Sequence, residues 1–150
     1  MEILKGQLDY KKLVSDIFDA SEKFKNDLIF LGLDKLNLKD FYDYVKSLDY
    51  IDDGKKAEIL SRPKYSLDPD FKVARDCDDK TLACAAFFRL KNQPFRLIVS
   101  GRKSRVHHIY PEIEIPGIGY IAFDTTYPDN KQIGERIFNE KKRQIFYDFA

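Results

Sequence analysis

The sequence predicts an α+β fold, in which N-terminal helices and a buried, cysteine-bearing helix pack on a predominantly antiparallel sheet built from the second half of the chain. Three observations carry this. Apolar residues recur at helical spacing through residues 10–48, an Ala-rich apolar run follows Asp76-Cys77-Asp78-Asp79, and two strand-like runs flank Pro116-Gly117-Ile118-Gly119.

Leu13, Ile17, Ala20 and Phe24 lie on one face of an amphipathic helix over residues 10–25. After a break at Gly32, Phe41, Tyr44, Val45 and Leu48 define a second helix over residues 38–48, and Asp52-Asp53-Gly54 separates it from a short helical piece ending at Leu60. Pro63 and Pro69 are expected to keep the approach to Cys77 extended or turned. From Asp78 to Leu90 the chain is apolar on nearly every side, the mark of a helix packed between layers. Phe95–Val99 then reads as a strand, and Gly101-Arg102-Lys103-Ser104-Arg105 as a solvated basic loop. Val106–Ile115 and Tyr120–Thr125 pair as a hairpin across the Pro-Gly turn. The tail from Gln132 favours further strands over a terminal helix. With 150 residues and no linker, the chain reads as a single domain, helical over about residues 1–60 and with its core over about 61–150.

Apolar and charged fractions of 43% and 34% belong to a globular protein with a charged surface. The net charge of +1 provides no field to recruit nucleic acid or an acidic membrane. The aromatic N-terminal segment, Phe41, Tyr42 and Tyr44 included, reads as a lid or packing layer rather than a platform for bases. No apolar run spans a bilayer, and Met1–Lys5 lacks the pattern of a secretory signal, so a cytoplasmic location is expected. Cys77 and Cys84 lie two helical turns apart, about 10 Å along the axis, beyond disulfide reach.

A thiol at a helix N-terminus faces the positive end of the dipole, which favours thiolate. Cys77 occupies that position; Asp76, Asp78 and Asp79 oppose the effect unless they cap the helix or point away. Cys84, inside the helix, has no base near it and reads as a buried hydrophobe. On the first hairpin strand, His108, Tyr110 and Glu112 share one face, and His107, Ile109 and Ile113 the other. Adjacent histidines therefore cannot address one site, which argues against a metal centre; no cofactor is implied. A turn near residues 116–117 makes opposed positions sum to roughly 232–234, placing Asp124 opposite or diagonal to His108. A register shifted by one residue gives that partner to His107 instead. Tyr110 and Glu112, with Asp76 and Asp78, are candidates to line a cleft.

Together these residues resemble the transglutaminase-like superfamily, with its papain-like cysteine-hydrolase core. The similarity covers roughly residues 60–128: Arg62-Pro63-Lys64-Tyr65-Ser66-Leu67, Asp76-Cys77-Asp78-Asp79-Lys80-Thr81, Gln93-Pro94-Phe95-Arg96, His108-Ile109-Tyr110-Pro111-Glu112 and Gly119-Tyr120-Ile121-Ala122-Phe123-Asp124. It implies Cys77 as nucleophile, His108 as general base and acid, and Asp124 as the residue that orients His108. It departs from the family at Arg75, where Gly is usual before the Asp-Cys pair, at Tyr110, where Trp is common, and at Asn92-Gln93, which replace Gly-Ile. No side-chain donor for an oxyanion is evident upstream of Cys77.

The resemblance implies attack of a thiolate on an amide or other acyl carbon, with hydrolysis of a peptide or isopeptide as the first expectation and acyl transfer to an amine as a variant. A protein or peptide is the expected partner, without nucleic acid or membrane. The pattern is most similar to small bacterial and bacteriophage members, which implies virion proteins as further partners and a virion-associated location if the chain is phage-derived. The competing expectation is a non-catalytic structural or adaptor protein that keeps the shell and a vestigial triad.

Overall fold

The computed structural model describes residues 2–52, 60–101, 108–136 and 140–148, and side chains from Tyr10 onward. Within these residues the chain is α+β, with five helices and a curled four-stranded antiparallel sheet. The helices are α1 (Glu2–Lys23), α2 (Asp27–Phe30), α3 (Leu38–Ser47), α4 (Pro63–Ser66) and α5 (Cys77–Leu90); the strands are β1 (Phe95–Gly101), β2 (His108–Ile115), β3 (Gly119–Ala122) and β4 (Lys142–Phe146). His107, the basic loop from Arg102 to Arg105, the short helical piece before Leu60, and Ile137, Phe138 and Phe149 of the tail lie outside the described residues.

The central helix is α5. Its residues from Asp79 to Phe88 are all buried, because it is covered on several sides. Toward α1 and the sheet, Leu82 and Ala85 join Leu13, Val14, Ile17, Phe18, Leu97, Val99 and Ile109 in one apolar cluster. Toward α3, Ala83, Cys84, Phe87 and Phe88 join Phe41, Tyr42, Val45 and Phe123, with Phe41 stacked on Phe87 at 3.9 Å. The aromatic residues of α3 thus serve as a packing layer. The sheet runs in the order β3-β2-β1-β4, with every pairing antiparallel.

Several expectations need correcting. The first helix begins at Glu2, well before residue 10, and the turn of α2 precedes Gly32. The approach to Cys77 is turned, within the extended-or-turned expectation: Pro63 opens the one-turn helix α4, where its missing N–H costs nothing, and Pro69 lies in a turn. Strand β1 runs on to Gly101, and β3 stops at Ala122, short of Thr125. Of the tail, β4 is a strand, paired with β1.

Asn92 and Arg75 each have a structural role. Asn92 leaves α5 with φ 53°, a left-handed conformation that Asn tolerates better than most residues other than Gly. Arg75 is buried, and its guanidinium donates to the backbone carbonyls of Ser66 (2.5 Å), Asp49 (3.2 Å), Asp68 (3.0 Å) and Phe71 (3.1 Å). Its backbone also pairs with Ile51 in an isolated antiparallel bridge. One side chain thus ties the end of α3, the end of α4 and the lead into α5 together. Arg75→Met should remove these bonds, leave buried carbonyls without donors and lower the free energy of unfolding by about 3 kcal/mol or more, measured by chemical denaturation.

Candidate active site

The N-terminus of α5 is closed by its own acidic residues. The Asp76 carboxylate accepts from the backbone N–H groups of Asp78 (3.0 Å) and Asp79 (3.3 Å), and Asp79 accepts in return from the Asp76 N–H (3.1 Å). This is a capping box, with Asp in place of the usual Glu or Gln. The other Asp79 oxygen accepts from the Ser61 N–H at 2.6 Å. With Asp78 and Asp79 bonded to Asp76, and the Lys80 N–H on the Asp76 carbonyl, the Cys77 N–H is the first-turn amide with no hydrogen-bond partner among the described residues.

Helix and sheet meet at this end. The Thr81 hydroxyl donates to the Ile109 carbonyl at 3.2 Å, and the Ile109 backbone amide is near enough to the Cys77 sulfur to favour its thiolate. Cys77 therefore lies against the first residues of β2, directly beside the backbone that carries His108. His108 is buried, and its Nε2 lies 2.8 Å from Asp124 Oδ2. With Nε2 engaged, Nδ1 is the ring nitrogen left to exchange a proton with a substrate or a thiol. The observed hairpin pairs Glu112 with Ala122, a sum of 234, so Asp124 comes level with Tyr110 and diagonal to His108.

Asp124 lies just past the last paired residue of β3. Its Oδ1 accepts from the backbone N–H groups of Thr126 (3.0 Å) and Tyr127 (3.4 Å), and its Oδ2 from Asn130 Nδ2 (3.0 Å) as well as from His108. The Tyr42 hydroxyl donates to its carbonyl at 2.9 Å. Every atom that could swing this carboxylate away from the imidazole is held. Sequence reasoning missed both Asn130 and Tyr42; the polar run from Asp124 to Asn130 was the available signal for the first, whereas nothing local marks the second.

The acidic residues divide their work. Asp76 and Asp79 cap the helix, whereas Asp78 Oδ1 accepts from the Cys77 sulfur at 3.4 Å. Burial, followed by the Asp78 charge, pushes the Cys77 thiol well above its ordinary range, against the opposing pull of the Ile109 N–H. The dipole expectation for Cys77 is therefore outweighed by desolvation and a carboxylate. Cys84 is buried, and burial pushes its thiol up to about 12. Both thiols are free.

Tyr110 and Glu112 do not line an open cleft; both are buried on the His108 face of the sheet. The Tyr110 ring stacks on His108 at 5.5 Å, and its hydroxyl donates to Glu140 at 2.7 Å. Glu112 pairs with Arg96 and Arg143. Charge pairing across neighbouring strands closes this face and braces the histidine from behind. On the opposite flank, the bridge between Ile51 and Arg75 sets Tyr50, 57% exposed, beside the helix cap. Lys80 is buried with its ammonium on the Leu48 carbonyl at 3.0 Å, and burial lowers it to about 8.

Among the described residues, no group of three or more His, Cys, Asp or Glu is arranged to hold a metal ion, and no helix is long and apolar enough to cross a membrane. No model of a known protein family matches the chain, and neither a curated protein nor a solved structure matches it.

Asp79 allows a test of the cap. Burial, then its hydrogen bond with Asp76, push its carboxyl up to about 8 from an ordinary 3.8. A folded-state value above the unfolded one means that the buried carboxyl costs nothing in acid and progressively more as pH rises toward 8. Denaturation at several pH values should show the wild type losing stability relative to Asp79→Asn between about pH 4 and pH 8. A difference that stays constant with pH would show that Asp79 ionises normally.

Proposed function

We propose that the chain performs cysteine-dependent acyl chemistry of the transglutaminase-like kind, with Cys77 as nucleophile, His108 as base and acid, and Asp124 as the residue that orients His108. The observation that carries this reading is the buried His108–Asp124 pair, 2.8 Å apart, on the strand whose next residue, Ile109, belongs to the apolar cluster that Cys77 packs against. A His–Asp pair held by two backbone amides, an asparagine and a tyrosine is more than the packing of a sheet needs. The α+β arrangement, with a cysteine-bearing helix against an antiparallel sheet, supports the papain-like comparison.

In this reading the thiol proton passes to His108 Nδ1, and the sulfur lone pair attacks the acyl carbon. The oxygen of the tetrahedral intermediate takes its negative charge beside the open Cys77 N–H, at the positive end of α5. The imidazolium then protonates the leaving amine, and water, deprotonated by the same ring, releases the acid. Asp124 keeps the ring oriented and stabilises its charged form throughout. An amide or peptide carried by a protein is the substrate class that this chemistry serves.

One observation favours a second reading. The Cys77 sulfur donates to the Asp78 carboxylate at 3.4 Å, a contact that a non-catalytic adaptor with a vestigial triad would tolerate. Iodoacetamide separates the two. In the enzyme, Cys77 is alkylated ahead of Cys84, and His108→Ala slows the Cys77 reaction about tenfold or more at neutral pH. Rates at Cys77 that are indifferent to His108 would support the adaptor.

A further inference from the structure

The three aspartates around Cys77 look alike in sequence but differ in what their oxygens do. Those of Asp76 and Asp79 are committed to the capping box and to Ser61. Only Asp78 is turned toward the sulfur, which donates to its Oδ1 at 3.4 Å. The Ile109 backbone amide acts the other way and favours the thiolate. A hydrogen bond from S–H to a carboxylate stabilises the thiol, whereas the same carboxylate beside a thiolate is repulsive.

We propose that Asp78 is a brake on the nucleophile: its carboxylate keeps Cys77 as a thiol in the empty site, and attack requires that hydrogen bond to break so that the proton can pass to His108 Nδ1. The inference rests on Cys77 being the nucleophile. No further reactant is needed; the proton moves from sulfur to imidazole, and the sulfur keeps the electron pair it uses in attack. Other titratable groups around the thiol are Asp76 on α5, Tyr50 beyond the Ile51–Arg75 bridge and, in the apolar cluster shared with α1, Tyr10, while His108 precedes Ile109 on β2. Among these, Asp78 is the side chain that hydrogen-bonds to the sulfur. Its position in the first turn gives it a second, structural role, since a negative charge there suits the helix dipole.

The full chain is alkylated with iodoacetamide across a pH series, and each cysteine is followed separately by mass spectrometry. Asp78→Asn should lower the pH midpoint for Cys77 by about one unit and raise its rate at neutral pH about tenfold, with the Cys84 rate unchanged. Asp78→Ser, which keeps a polar first-turn residue, should give the same shift. An unchanged or higher midpoint overturns the brake. So does faster alkylation of Cys84 alongside Cys77, because the gain would then come from opening of the fold. If His108→Ala still slows Cys77 while Asp78→Asn shifts nothing, the brake fails and the nucleophile stands. If neither variant changes Cys77, the catalytic reading fails as well.

Discussion

The structure depends on how the N-terminus of a buried helix is satisfied. From Asp79 onward α5 is enclosed by α1, α3 and the sheet, and an unpaired buried N–H at its start is expensive. Asp76 and Asp79 answer that need reciprocally and also anchor Ser61 to the helix end. The arrangement leaves the Cys77 N–H open at the point where the helix meets β2. The same constraint that stabilises the fold therefore places a donor next to a sulfur.

A second constraint is the register of the hairpin. Ile115-Pro116-Gly117-Ile118 closes with the Ile118 N–H on the Ile115 carbonyl at 3.0 Å, and Gly117 takes the positive φ of 80° that this turn needs. One residue of slip would turn His108 to the other face and separate it from Asp124. Beyond Ala122 the chain leaves the ladder, and the Asp124 carboxylate accepts from the amides that follow it, which fixes the residue without strand pairing. Tyr110, Glu112, Glu140 and Arg143 lock the back of the same sheet face, so the imidazole rests on a rigid support.

At Cys77, opposing effects compete and burial prevails. The helix dipole and the Ile109 amide favour the thiolate, but desolvation and the Asp78 carboxylate together outweigh them. The Cys77 sulfur thus donates to Asp78, while the His108 ring is oriented separately by Asp124.

Much of this was written in local pattern. Apolar spacing marked α1 and α3, all-round hydrophobicity marked α5, and the Pro-Gly turn marked the hairpin, because each depends on neighbours three or four residues away. Alternation along β2 put His108, Tyr110 and Glu112 on one face, and counting through the turn brought Asp124 to His108. What only the tertiary structure decided were the contacts between distant segments. These include Arg75 gathering carbonyls from the end of α4 and from two loops, Tyr42 and Asn130 fixing Asp124, and the closure of the sheet face over Tyr110 and Glu112. The division of labour among the aspartates also waited for the fold, since a carboxylate that caps and one that faces a sulfur are the same letter in sequence. Chain periodicity sets which way a side chain points; which partner it meets there, and how much water remains, is set by packing.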